Sequence, residues 1–231
     1  MNTAKDTRLG TESIPKLMFQ LAVPSVVAQL INVLYNIVDR IYIGRIPEVG
    51  HLALTGVGVT FPILTLISAF SSFVGAGGAP LAAISLGKGE HKRAEQILGN
   101  SFSMLLIFSV ALTMIFQLSK EPLLYMFGAS DNTIGYAVDY ITIYLWGTIF
   151  VQIALGLNLF ITSQGQARIA MLSVLIGAVI NIILDPICIF VLDMGVQGAA
   201  IATVFSQAVS AAWVLHFLYS KNPVSVSVPV I

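Results

Sequence analysis

The chain has 231 residues, of which 57% are hydrophobic and 10% charged, against roughly 25% charged in soluble domains. Eleven basic and eleven acidic side chains give a formal net charge of zero. Such a composition excludes an ordinary soluble domain, and balanced charge without an arginine- or lysine-rich face excludes a nucleic-acid partner. The one cysteine, Cys188, excludes an intrachain disulfide and is expected to pack as a small apolar residue.

The polar start MNTAKDTRLGTESIPK leads into an apolar run too long for the core of a signal peptide, with no small-residue cleavage site at a usual distance. The first span is therefore expected to stay in the mature protein. Six apolar segments are predicted, over 17–43, 52–86, 97–118, 134–161, 169–192 and 196–219. Each is long enough to cross roughly 30 Å of hydrocarbon as a helix rising ~1.5 Å per residue. The second exceeds one crossing, and GAGGAP near its end is expected to weaken its last turns or admit a neighbouring helix closely. The joints GRIPEVGH, GKGEHKRAEQ, SKEPLLYMFGASDN, TSQGQAR and DMGVQG supply Gly, Pro or clustered charge for turns. The chain thus divides into a cytoplasmic segment over 1–16, a six-helix membrane unit over 17–220 and a linker stub over 221–231. Lys5, Arg8, Lys16, Lys88, Lys92, Arg93, Arg168 and Lys221 fall on one side of the membrane; Arg45 and Lys120 fall on the other. The basic excess marks the cytoplasm, so both termini are expected there, in a multi-pass protein of the plasma (inner) membrane.

Inside the first segment, QLINVLYNIVDR sets Gln29, Asn32, Asn36 and Asp39 three, four and three residues apart, on one stripe of a helix. The fifth segment repeats the device with Asn181 and Asp185 four apart, followed by Pro186. Asp39 lies six residues inside Arg45 and Asp185 seven inside Leu192, so each is about 10 Å below the outer surface. Thr203, seven residues inside Val196, reaches the same level. A carboxylate at such depth costs on the order of 2.5–3.5 kcal/mol on insertion scales, which calls for compensation or use. Two carboxylates, an amide and a hydroxyl at one level are hard-oxygen ligands, suited to a proton or to a small cation such as Na⁺. Plainer roles stand beside this one: Gln29 and Asn32 as interhelical hydrogen-bond glue, Asp39 as the ion partner of Arg40, Pro24 and Pro186 as simple kinks. The sequence holds no G-x-S-x-G, H-E-x-x-H or Walker-type stretch, so neither an enzyme nor a resident cofactor is expected.

The order of PSVVAQLINVLYNIVDRIYIGR, GKGEHKRAEQILG, NLFITSQGQAR, INIILDPICIF and GAAIATVFSQ resembles the multidrug and toxin extrusion (MATE) family over nearly the whole chain. The resemblance implies an all-α membrane protein whose six transmembrane helices form the N-terminal lobe of a two-lobe, twelve-helix transporter. It implies a secondary antiporter exporting amphipathic, often cationic small molecules in exchange for Na⁺ or H⁺ as coupling ion. Its partners would be the lipid bilayer and a second six-helix lobe. By motif the resemblance points to Asp39, Asn181, Asp185 and Thr203 for the coupling cation, with Asp39 and Asp185 as metal ligands if that cation is Na⁺. It adds Asn158 in GLNLFITSQG, and it marks Pro24 in LAVPS as the family's proline in the first span, a candidate hinge. Two other functions stay open: a non-transporting membrane module that needs a partner half, and a lipid-linked sugar flippase of the wider superfamily. A flippase is expected to carry cationic side chains facing its cavity, and Arg40 is the one intramembrane candidate.

In a Cys188→Ser background, single cysteines at Lys92, Arg168 and Lys221 are expected to react with an impermeant thiol reagent only from the cytoplasm. Cysteines at Glu48 or Asp193 are expected to react only from outside. Mixed labelling would remove the common depth of Asp39, Asp185 and Thr203.

Overall fold

The computed structural model describes residues 13–219, and every regular element among them is helical. Residues 1–12, with Lys5 and Arg8, and residues 220–231, with Lys221 and the expected linker, lie outside the described residues. The first helix, α1 (Ile14–Gly44), starts on Pro15, whose fixed φ and missing N–H suit a first turn. After it come α2 (Gly50–Gly87), α3 (His91–Met126), α4 (Ile134–Trp146), α5 (Thr148–Gly156) and α6 (Asn158–Ser163). The last helices are α7 (Ala167–Pro186), which runs into a π-helical turn at Ile187–Val191, and α8 (Gly195–Tyr219). Among the described residues five stretches are long and apolar enough to cross a membrane, and the bent α4–α6 stretch, taken as one span, makes a sixth. The chain is an all-helical, multi-pass membrane protein, as the apolar segments predict.

Short turns hold these helices close in space. Gly89 and Gly128 follow α2 and α3 with φ of 78° and 102°, a backbone region that disfavours side chains. There the Glu90 N–H bonds the Ser85 carbonyl and the Ala129 N–H bonds the Leu124 carbonyl, both at 2.9 Å, closing off each helix end.

The fourth segment departs from the continuous span predicted over 134–161. It breaks at Gly147, and its two arms are bent by 60°. Inside a membrane, a broken helix persists only where other groups satisfy the freed backbone. Here α3 supplies them: Thr113 Oγ1 donates to the Leu145 carbonyl and Gln117 Nε2 to the Thr142 carbonyl, both at 2.9 Å. Lys120 Nζ reaches Thr142 Oγ1 at 2.7 Å. A Cβ at Gly147 would stand 2.5 Å from a methyl of Val204, so only glycine lets the break close onto α8.

Two apolar clusters fill the lobe. One includes Ile43, Ile63, Phe116, Ile141, Leu145 and Ile189; the other includes Val74, Leu98, Leu105, Phe160, Val214 and Leu218. Between α2 and α5, Gln152, fully buried, donates to the Ile67 carbonyl at 3.1 Å and accepts from Ser71 Oγ at 2.7 Å. Lipid is as apolar as leucine, so helices here associate through close packing and such bonds rather than by escaping water. The GAGGAP stretch does what its composition predicts, since a Cβ at Gly75 would lie 2.6 Å from the Gly156 carbonyl oxygen. Replacing Gly75 by Ala is expected to lower stability by about 1–3 kcal/mol, the usual cost of overpacking, whereas Gly77→Ala, which meets open space, is expected to be neutral. Thermal melting of the two variants in detergent measures the difference.

Candidate cation-binding site

The site is built where α1, α7 and α8 meet. α1 packs chiefly against α7, and α7 in turn against α8. The stripe periodicity of α1 turns Asp39 inward, 8% exposed, while the next residue, Arg40, is exposed. Arg40 lies 5.4 Å from the centroid of the Phe61 ring, a cation–π arrangement on another face of the helix. Asp185 on α7 is fully buried and Asn181, one turn earlier, is 1% exposed. Pro186 follows at once, and the backbone passes from α to π: the Leu192 N–H bonds the Ile187 carbonyl five residues back at 2.9 Å. Close packing seats the start of α8 against this turn, because a Cβ at Gly198 would stand 2.6 Å from the Cys188 carbonyl oxygen. Cys188 itself is a buried free thiol, as its setting predicts.

Asn181 ties the group together. Its Nδ2 donates to Asp185 Oδ1 at 3.1 Å along α7 and to Thr203 Oγ1 on α8 at 3.4 Å. Asp39 and Asp185 face the same α1–α7 contact, close enough for the charge of one carboxylate to act on the other. Within this group three buried oxygens have no hydrogen-bond partner: Asp39 Oδ1, Asp185 Oδ2 and Asn181 Oδ1. Unmatched buried acceptors are costly, the more so on carboxylates. Together with Thr203 they form a cluster of oxygens whose chemistry fits a proton or a small hard cation. Among the described residues no cluster of three or more His, Cys, Asp or Glu side chains is present. A cation here would accordingly complete its shell with amide, hydroxyl and water oxygens.

Asp39 and Thr203 open onto a cavity of about 270 Å³. Its other walls include Tyr35 and Asn36 on α1, Tyr140 and Tyr144 on α4, and Gln207 on α8. Of the residues predicted for the site, Asp39, Asn181, Asp185 and Thr203 come together. Asn158 does not join them: its Nδ2 donates to the Ala170 carbonyl at 3.1 Å and to Ser173 Oγ at 2.5 Å, around a separate cavity. Gln29, on the same stripe as Asp39, remains exposed. Pro24 is buried inside α1 and lines a groove with Phe19, Val23, Arg168 and Met171. Sequence reasoning passed over Tyr35 and Gln207, although the signal was present. Tyr35 lies four residues before Asp39 and Gln207 four after Thr203, one helical turn along the same faces.

Comparison with known proteins agrees with this architecture. The model of the MatE family matches residues 24–187. The multidrug export protein MepA of Staphylococcus haemolyticus is 29% identical over 210 residues, covering 91% of this chain and 46% of its own length. An FAD transporter of Shewanella oneidensis is 26% identical over 93% of this chain and 48% of its own. Among solved structures, a MATE in the bent conformation superposes with a TM-score of 0.90 at 26% identity, over all of this chain and 51% of that one. A MOP superfamily transporter from Pyrococcus furiosus, described as having a binding pocket of reverse polarity, gives 0.89 at 27% identity. The chain spans about half the length of the curated relatives it matches.

Asp185→Asn is expected to raise the melting temperature in alkaline, Na⁺-free buffer, because the new amide offers donors to Asp39 where two carboxyls now meet. The gain should be on the order of 1–3 kcal/mol, the cost of an unmatched buried acceptor. An unchanged or lower midpoint would show that the carboxyls do not act on one another.

Proposed function

This chain belongs to the MatE family, and from that premise we propose that it forms one six-helix lobe, over 17–220, of a secondary antiporter. The antiporter exports amphipathic, often cationic small molecules in exchange for Na⁺ or H⁺, across the plasma (inner) membrane, with both ends of the lobe in the cytoplasm. A second six-helix lobe completes the transport path. One observation carries the proposal: the unpartnered oxygens of Asp39, Asp185 and Asn181 converge from two helices beside a cavity walled by tyrosines and amides.

In this mechanism a cation, once between Asp39 and Asp185, supplies the charge that neither Asn181 nor Thr203 can. Binding draws α1 and α7 toward one arrangement and disfavours the other. Coupling requires only that cation and cargo prefer different states of the protein. Each charge moved through the membrane potential contributes roughly 2.3 kcal/mol per 100 mV, enough for one or two cations to sustain useful export gradients. Pro24 acts as the hinge, since it cannot donate to the Gln20 carbonyl and its ring crowds that turn, leaving α1 locally weak. A cationic cargo agrees with the cavity's acidic, amide and aromatic walls. An anionic cargo would call for basic side chains, and no Lys or Arg is among the described residues lining the cavity.

Transport is measured as dye extrusion from proteoliposomes by the full-length protein, under Na⁺ and H⁺ gradients separately. Asp185→Asn and Asp39→Asn are each expected to abolish ion-driven extrusion, with the double variant little worse than either, because residues acting as one unit are not additive. Asn181→Ala should be milder, and Pro24→Ala should insert normally but respond less to the ion. Wild-type extrusion by Asp185→Asn under both gradients would make the acid a structural residue.

A further inference from the structure

The polar interior does not end at the carboxylate cavity. Asn32, Tyr35, Leu155 and Gln207 wall that cavity and also a second one of about 30 Å³. At ~10–15 Å³ per water-sized sphere the second space holds about two or three waters. It extends away from the carboxylates along both α7 and α8. Ser173 precedes Asp185 by twelve residues, ~18 Å of helix, and Ser210 follows Thr203 by seven, ~10 Å, in the same direction because the two helices are antiparallel.

Asn32, Tyr35 and Gln207 bring N–H and O–H groups to the wall that the second cavity shares with the first, whereas away from that wall Asn158 and three serines have their hydrogens already committed. Ser173 Oγ donates to the Ala170 carbonyl at 2.8 Å, Ser206 Oγ to the Thr203 carbonyl at 2.8 Å, and Ser210 Oγ to the Ser173 carbonyl at 2.9 Å. The amide hydrogens of Asn158 go to the Ala170 carbonyl and Ser173 Oγ. What these residues retain is lone pairs, on Asn158 Oδ1 and on the serine oxygens. Ser173, Ser206 and Ser210 are 2%, 3% and 6% exposed, so bulk water does not supply the missing donors. The neutral acceptors of Asn158 and the serines suit a guest that brings donors or positive charge: a water carrying an excess proton, or Na⁺ with part of its hydration shell. Lacking a carboxylate, the cavity holds such a guest weakly, and conduction needs sites that an ion can leave as well as enter.

We propose that this second cavity is a transient station for the coupling cation, reached from Asp39 and Asp185 past Tyr35 and Gln207 on the way toward the Arg168 end of the lobe. Asn158 serves this station and not the carboxylates. The proposal rests on Asp39 and Asp185 holding the ion.

Two quantities test it on the full-length protein: equilibrium binding of Na⁺ or protons in detergent, and the rate of ion transfer across proteoliposomes under Na⁺ and proton gradients in turn. Ser206→Ala, Ser210→Ala and Asn158→Leu are expected to slow transfer about fivefold to tenfold, the rate equivalent of one lost hydrogen-bond acceptor. Their equilibrium binding should stay near that of the wild type, whereas Asp185→Asn should lose both. Wild-type transfer in both serine variants under both gradients overturns the station. So does a loss of equilibrium binding in them as deep as that of Asp185→Asn, since the cavity would then be part of the carboxylate site. Full binding by Asp185→Asn overturns the carboxylate assignment instead, and it is seen in a different variant.

Discussion

Two carboxyl groups buried inside a membrane lobe, on the two sides of one helix contact, impose the demands that the surrounding helices meet. A charge in low dielectric costs several kcal/mol unless something answers it. Asn181 answers one oxygen of Asp185 and is itself tied to Thr203, but Asp39 Oδ1 and Asp185 Oδ2 remain unmatched. Holding such a group in place takes rigid neighbours. Gly198 brings α8 against the π-helical turn after Pro186, and a Cβ at Gly177 on α7 would land on Ser210 Oγ of α8, so these two helices cannot easily separate or slide. The cost of the unmatched oxygens is therefore retained in the lobe.

The same economy of polar groups shapes the scaffold. A break in the fourth span would expose main-chain carbonyls to lipid, yet Thr113 and Gln117 on α3 stand at the height needed to bond them. Gln152 closes a bond pair with α2 in the middle of the lobe. These interactions fix α4 and α5 relative to α2 and α3, and so place Tyr140 and Tyr144 on the wall of the carboxylate cavity. By contrast, α1 has much of its length exposed, with Phe19, Val26, Leu30, Leu34 and Ile37 all about half exposed or more. It is anchored mainly on α7, the helix that carries Asp185. A change in the interaction between Asp39 and Asp185 is thus transmitted to the least supported helix of the lobe.

Much of this was legible in the linear order of residues. Spacing of three and four placed Asn32, Asn36 and Asp39 on one face, and Asn181 with Asp185 on another, and counting from the polar joints brought Thr203 to their level. Tyr35 and Gln207 share those faces but were passed over, because a tyrosine or glutamine one turn from an acid is read as packing until a cavity is seen beside it. Asn158 entered only through family resemblance, and its partners Ala170 and Ser173 lie across a turn on the next helix. The break at Gly147 had only the glycine as a local signature, and glycines also stand in continuous helices here, as Gly77 does in α2. Its causes, Val204 on one side and Thr113 and Gln117 on the other, are more than twenty-five residues away.

The sequence by itself determined that this is a membrane protein with six apolar segments, and how its polar side chains are spaced along each of them. Those properties depend on distance along one helix, and a helix rises by a constant step per residue. Only the tertiary structure decided which oxygens are left without donors, that Arg40 turns to Phe61 rather than pairing with Asp39, and that Asn158 gathers with Ser173, Ser206 and Ser210 around a second cavity. Each of these depends on how helices distant in sequence rotate and cross, which is set by small residues and backbone bonds between them and not by periodicity within any one of them.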